Sequence, residues 1–167
     1  IHAPVATAAW DGSRHQFASK MTEVTPYLEA ADVSICNMET PIREPGLPPL
    51  GYPVFGAPYE LVEELSLAGF DGCTTATNHA MDQGWDGLVR TLDAFDAAGM
   101  GHEGTARSER EFDQAQLYTV EKGEVSLTIA NIAATYGTNG IPVPADAPWA
   151  VTFIDTDLMI AQAQAAR

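Results

Sequence analysis

Basic residues are scarce in this chain. Only 8 Lys and Arg stand against 23 Asp and Glu, which gives a formal net charge of −15. Proteins bind nucleic acids and anionic lipids largely through clusters of Lys and Arg, so this balance excludes a nucleic-acid-binding protein. The acidic residues are spread along the chain rather than gathered in one tail. This distribution indicates a solubilising surface in preference to a dedicated cation-binding surface.

Long hydrophobic runs are also missing. Apolar stretches such as residues 125–134 extend for only about ten residues, whereas a membrane-spanning helix needs about 20. The sequence therefore predicts no transmembrane segment in this piece. The N-terminus lacks the basic segment of a signal peptide. Because the chain begins with Ile1 rather than Met, we expect a processed or trimmed piece of a longer protein.

Cysteine is equally rare. Cys36 and Cys73 each lie in an apolar, strand-like run. Two cysteines in a chain of 167 residues are not the framework of a disulfide-stapled protein. A disulfide between them is one possibility, but we favour two buried thiols that pack as small hydrophobic groups. The cellular compartment is not decided by this pattern.

The periodic segments predict one α/β domain. Strand-like runs alternate with amphipathic helices, and this order favours a parallel βαβαβ unit with right-handed crossovers. A glycine-containing polar turn then separates two further strands, which predicts an antiparallel hairpin. We expect strands at 33–38, 70–76, 100–103, 116–120, 125–132 and 149–154, helices at 26–31, 58–68, 82–98 and 157–167, and loops at 41–58 and 136–148. The first twenty residues are weakly patterned.

Metal-capable side chains follow two of the predicted parallel strands. Glu39 follows the first, and Asn78, His79 and Asp82 follow the second. Ligands of open α/β sheets bind beyond the carboxyl ends of the strands, so these side chains could form a mixed oxygen and nitrogen site for Mn, Zn, Fe or Mg. Alternatively, Glu39 is a surface residue, and Asn78 or Asp82 caps the following helix.

Short motifs in order along nearly the whole chain resemble the CapA-like family of bacterial capsule and poly-γ-glutamate biosynthesis proteins. The two most specific are Asn37-Met38-Glu39-Thr40-Pro41 and Thr77-Asn78-His79-Ala80-Met81-Asp82-Gln83-Gly84. The others are Gly51-Tyr52-Pro53-x-Phe55, Ala68-Gly69-Phe70-Asp71, Thr91-Leu92, Ala98-Gly99-Met100, Gly104-Thr105-Ala106-Arg107 and the loop that runs from Thr135 to Pro144. The resemblance implies a calcineurin-like metallophosphatase fold, usually an α+β sandwich of two sheets flanked by helices.

The resemblance also implies a role for each site residue. Glu39 matches the carboxylate that bridges two divalent metal ions, and Asn78 matches the asparagine that binds one of them. His79 matches the general acid, which Asp82 could orient. The implied chemistry is two-metal hydrolysis. The loop itself leaves two alternatives open: Tyr136 and Asn139 contact substrate, or Asn139-Gly140 simply forms a turn.

The chain departs from the family pattern at several points. Thr77 replaces the first Asn of the family's Asn-Asn-His, and Ala134 stands where Tyr is frequent. The opening Gly-Asp would lie before Ile1, and the later His-Trp-Gly and Gly-His-x-His segments are missing. We therefore expect a single incomplete domain over residues 1–167, with about half a metal site. His2 would lie near the missing Asp, although a direct role is not favoured, and His15 and His102 are expected to be packing or surface residues.

Three functions compete. The first is an extracytoplasmic, cell-surface hydrolase or assembly factor, membrane-anchored in the full-length protein, that acts on poly-γ-glutamate or another anionic wall polymer beside the capsule-synthesis membrane proteins. A charge of −15 opposes a polyanionic substrate unless divalent ions offset it. The second is a non-catalytic surface scaffold with an incomplete metal site. The third, a cytosolic nucleotide phosphoesterase, rests on fold analogy alone.

Overall fold

A computed structural model describes residues 3–166 as a mixed α/β structure. The helices are α1 Ala3–Ala9, α2 Thr25–Ala30, α3 Leu61–Leu67, α4 Gly84–Ala97, α5 Glu109–Phe112 and α6 Thr156–Ala165, with a 3₁₀ turn at Ala18–Lys20. The strands are β1 Ile35–Asn37, β2 Gly72–Thr74, β3 Gly101–Glu103, β4 Gln116–Lys122 and β5 Val125–Asn131. The first three strands form a parallel sheet in the order β1-β2-β3, and β4 and β5 form an antiparallel pair. The predicted βαβαβ unit and hairpin are thereby confirmed.

Helix α4 links the two hydrophobic clusters of the described chain. Its apolar residues recur at helical spacing, so Leu88, Leu92 and Phe95 share one buried face. Phe95 packs into the first cluster, which includes Cys73 of β2, whereas Leu88 and Leu92 pack into a second cluster with Val151. The helix is followed by Gly99, whose φ of 68° is the left-handed conformation that favours glycine. This single helix fixes the position of the segment that precedes it, residues 77–83.

The cysteines do not remain separate thiols. Cys36 and Cys73 are directly opposed in β1 and β2, with their Cα atoms 4.3 Å apart, and the structure joins them in a disulfide. The prediction of two free thiols is therefore wrong. The register of two neighbouring strands brings the residues side by side, and their separation of 37 positions in sequence does not reveal that register.

The hairpin contacts the parallel sheet through Tyr118. Gly72 and Gly101 leave room for its ring, and a Cβ atom at Gly101 would lie only 2.6 Å from the Tyr118 hydroxyl oxygen. Burial raises the pKa of Tyr118 to about 12. Glycine at these two strand positions is thus explained by the close approach of a side chain from another element.

Three segments differ from the sequence prediction. Residues 149–154 do not form a regular strand, because Val151 pairs with Thr105 and Phe153 pairs with Thr135, which leaves only one bridge to each partner. The weakly patterned N-terminus contains α1, whose Ala6 and Ala9 are buried in the first cluster. Alanine at this spacing buries too little surface to give a clear apolar stripe in the sequence. Short helix α5 was also not predicted.

Within residues 3–166, no helix combines the length and apolar character needed to cross a bilayer.

Candidate functional site

Thr77 connects the segments that follow β1 and β2. It is the residue that replaces the first Asn of the Asn-Asn-His motif. Its hydroxyl donates a hydrogen bond to the backbone carbonyl of Glu39 and accepts one from the backbone N–H of His79 at 3.1 Å. Parallel strands with a common register end at the same edge of the sheet, which is why segments 38 positions apart meet here. Threonine at this position therefore ties the two motifs together.

His79 and Asp82 form a close pair. The Nδ1 atom of His79 lies 2.7 Å from Oδ2 of Asp82, whose side chain is almost fully buried. The same carboxylate oxygen accepts the backbone N–H of Phe55 at 2.6 Å. Helix α4 begins at Gly84 with Gln83 at its N-cap, so the alternative that Asp82 or Asn78 caps this helix is wrong. Two N–H donors on one carboxylate oxygen hold Asp82 in a fixed orientation.

Phe55 also packs against His79. Its ring meets the imidazole edge-on, with the ring centroids 4.8 Å apart and the planes at 89°. Gln83 donates from Nε2 to the Phe55 carbonyl at 2.8 Å, so both peptide groups of this residue are bound beside the His79–Asp82 pair. The sequence alone predicted no role for Phe55 or Gln83. The available signal was their position in two motifs, because Phe55 ends the motif that begins at Gly51 and Gln83 lies in the motif that begins at Thr77.

Asn139 reaches the same histidine from a distant loop. Its Nδ2 lies 3.3 Å from Nδ1 and 3.4 Å from Nε2 of His79, and its Oδ1 accepts from Nδ2 of Asn78 at 3.2 Å. Asn139 also forms a turn, with a φ of 52° and a hydrogen bond from the Ile141 N–H to the Thr138 carbonyl. The turn is therefore present, whereas contact of Asn139 with substrate stays a prediction. Tyr136 is 75% exposed on the same loop.

Glu39 is near this group through its backbone only. Its side chain is exposed and borders a cavity of about 250 Å³ beside Leu61 and Leu65. Within residues 3–166, no hydrogen bond connects its carboxylate with Asn78 or His79. The same range contains no group of three or more His, Cys, Asp or Glu side chains that could hold a metal ion.

His15 and His102 lie apart from this site. His15 stacks on Phe17, and its Nδ1 is 3.4 Å from a carboxylate oxygen of Glu60. His102 contacts Asp96 at 3.3 Å, and burial lowers the pKa of His102. Both are packing residues, as the sequence predicted. His2 lies outside the described residues.

Asn139 combines a left-handed turn with a contact to His79. Asn139→Gly keeps the left-handed turn but removes the amide beside His79. Asn139→Ala removes the same amide and also introduces a residue that adopts a φ of 52° less readily than Gly or Asn does. We expect the alanine variant to unfold with a free energy about 1 kcal/mol lower than that of the glycine variant. Urea denaturation of both variants measures the difference. Equal stability would show that the turn does not require the left-handed conformation.

Comparison with known proteins identifies the family. The family model described as bacterial capsule synthesis protein PGA_cap matches residues 1–165, and the chain belongs to this family. The chain is also 32% identical over 115 residues to each of two uncharacterized proteins, y4sH and y4uA, of Sinorhizobium fredii (strain NBRC 101917 / NGR234). These alignments cover 64% of this chain and 24% of each relative, so the matched part spans about a quarter of their length.

Proposed function

We propose that this chain is part of a cell-surface hydrolase of capsule synthesis with a metallophosphatase-like fold, in which His79 is the general acid and Asp82 orients it. The substrate would be poly-γ-glutamate or a related anionic wall polymer. The full-length protein would be extracytoplasmic and membrane-anchored, beside the capsule-synthesis membrane proteins. Membership of the capsule synthesis family supports the process, and the His79–Asp82 contact supports the chemistry.

The contact between Nδ1 of His79 and the buried Asp82 carboxylate carries this proposal. A carboxylate that accepts the Nδ1 proton leaves Nε2 to hold the proton that a leaving group requires. The edge of the Phe55 ring covers part of the imidazole and limits access of water to it. Asn139, whose amide lies beside both ring nitrogens, would help to position the group that receives the proton.

Divalent metal ions, of Mn, Zn, Fe or Mg, would supply an activated water and offset the charge of the substrate. Glu39 and Asn78 offer the carboxylate and amide oxygen atoms that such ions accept, so the donor types fit. Two donors do not complete a coordination sphere, because catalytic sites generally use three or more protein ligands. Further ligands would have to come from outside residues 3–166.

A non-catalytic surface scaffold is the second candidate. It is favoured by the exposed Glu39 side chain, which borders the cavity beside Leu61 and Leu65 and has no hydrogen bond to Asn78 or His79 within the described chain. A scaffold of this kind would keep the His79–Asp82 pair as a structural contact. It would bind polymer without cutting it.

The test uses the full-length protein, with metal content measured by mass spectrometry and the length of poly-γ-glutamate followed over time. We expect the wild-type protein to contain divalent metal and to shorten the polymer. Glu39→Gln should lose bound metal and turnover together, because an amide is a weaker ligand than a carboxylate. Glu124→Gln, which removes an exposed charge in the hairpin turn, is the matched control. Wild-type protein that binds polymer but neither holds metal nor shortens the polymer would support the scaffold instead.

A further inference from the structure

A second cavity, of about 320 Å³, shares no lining residue with the His79 site. Three segments form its walls: the turn that contains Trp10 and His15, the proline-rich stretch at Leu47 and Pro48, and the start of the α3 region at Tyr59 and Glu60. Cavities of this size accept small ligands or a terminal group of a larger one. Neither the family nor the proposed hydrolase accounts for it.

The aromatic wall of this cavity is held in place before any ligand binds. Trp10 and His15 pair as an isolated antiparallel bridge, and their ring centroids are 5.0 Å apart. His15 stacks in turn on Phe17, which is only 3% exposed, with an interplanar angle of 6°. The turn between the two rings is closed by Asp11, whose Oδ1 accepts the backbone N–H groups of Ser13 and Arg14 at 2.8 Å and 2.9 Å. A preformed wall lowers the entropy cost of binding.

Two aromatic side chains of the cavity remain open to solvent. Trp10 is 48% exposed and Tyr59 is 43% exposed, although both border the cavity. Trp10 is held against His15 and is still accessible, so both its indole and the Tyr59 ring are available to a ligand. The π faces of such rings attract cations through the ring quadrupole, with Trp the most effective.

The charge at the cavity is negative. Glu60 borders it and interacts electrostatically with Arg14, which is itself paired with Glu63 at 2.9 Å and Glu64 at 3.2 Å. Nδ1 of His15 lies 3.4 Å from a carboxylate oxygen of Glu60. Within residues 3–166 no Lys or Arg lies within ion-pair distance of Glu60, so in a chain of net charge −15 this carboxylate stands beside exposed aromatic rings. This carboxylate would repel an anionic ligand, whereas its charge would attract a cation.

We propose that this cavity binds an alkylammonium group, that is, a positively charged nitrogen carrying apolar substituents. Trp10 and Tyr59 would contact the apolar substituents and the charge, and Glu60 would compensate the charge from one side. The ligand class follows from the combination of aromatic faces, a carboxylate and a preformed cavity. This site is independent of hydrolysis at His79.

The experiment titrates the ¹⁵N-labelled full chain with choline and, separately, with its neutral isostere 3,3-dimethylbutan-1-ol, and follows the indole N–H signals by NMR. Trp10, Trp85 and Trp149 provide three signals, and Trp10→Phe assigns the first. We expect choline to shift the Trp10 signal and to bind roughly two- to thirtyfold more tightly than the isostere, which is the range of a cation–π contribution. The Trp85 and Trp149 signals should not move.

Two variants and one control separate the contribution of the Glu60 charge from that of the Tyr59 ring. Glu60→Gln preserves the shape of the side chain and should weaken choline binding by roughly fivefold while leaving the neutral isostere unaffected. Tyr59→Leu should weaken choline binding, whereas Tyr27→Leu, which replaces an exposed tyrosine outside the cavity, should not. The proposal is overturned if the isostere binds as tightly as choline, if choline leaves the Trp10 signal unchanged at millimolar concentration, or if Glu60→Gln affects both probes equally.

Discussion

His79→Ala is expected to lower kcat for polymer hydrolysis by the full-length protein roughly 10²- to 10⁴-fold, the usual contribution of a general acid. KM should change little, because the proton is transferred only in the transition state. Bound metal should be retained, since Glu39 and Asn78 are the proposed ligands. Imidazole added to the assay should restore part of the lost activity by entering the vacated space beside Asp82. The readouts are kcat, KM and metal content.

Asp82→Asn provides the companion measurement. The amide keeps an oxygen that accepts the Phe55 N–H, but it removes the negative charge from the atom that lies 2.7 Å from His79 Nδ1. We expect kcat to fall with KM unchanged, and imidazole should not rescue this variant because the histidine is still present. Asp86→Asn, which changes an exposed carboxylate in the first turn of α4, controls for the loss of charge. If His79→Ala retains more than a tenth of wild-type kcat, the general-acid role is wrong.

Glu103→Gln is expected to stabilise the protein above neutral pH. Glu103 is buried at the end of β3, and this burial raises the pKa of its carboxyl group to about 7, although the N–H groups of Gln116 and Gly104 act in the opposite direction. A folded-state pKa above the unfolded value means that the folded protein holds the proton more tightly. The associated stability is fully present below about pH 4.5 and is lost as the pH rises through about 7.

Glutamine stays neutral at every pH and retains an oxygen for the Gln116 N–H, which the Glu103 carboxylate accepts at 2.7 Å. The free energy of unfolding of the variant should therefore exceed that of the wild type by about 2 kcal/mol at pH 8, after allowance for water in the adjoining cavity. The difference should shrink toward zero at pH 4.5. Urea denaturation across this range measures it, with Glu124→Gln as a control for net charge. A difference that does not vary with pH would contradict the assignment.

Much of the fold could be predicted because it follows from local patterns. The periodicity of residues 82–98 gave α4, and the alternation of apolar runs with helices gave the parallel order β1-β2-β3. The polar turn with Gly123 gave the β4–β5 hairpin. The prediction of a strand at residues 149–154 was wrong. An apolar composition does not reveal whether a segment pairs along its length with one strand or forms single bridges with two different segments, as Val151 and Phe153 do.

The site could be predicted only in part. Parallel strands end at one edge, so the sequence was sufficient to bring the Glu39 and His79 motifs to neighbouring positions. It did not indicate that the Glu39 side chain borders the cavity beside Leu61 and Leu65, nor that Thr77 links the two strand ends. Side-chain direction at a strand end depends on packing around the following loop, which is not encoded in the spacing of the motif.

The sequence by itself determined the order of β1 to β5 with helices α3 and α4 between the parallel strands, the acidic composition and the family, because each depends on residue types and their local spacing. Only the tertiary structure decided which groups surround His79: the Phe55 N–H meets Asp82 across 27 positions, and Asn139 reaches the imidazole across 60. The tertiary structure likewise brought Cys36 and Cys73 together in a disulfide. Contacts of this range depend on the paths of long loops and on strand register, which are set by the packing of the whole chain.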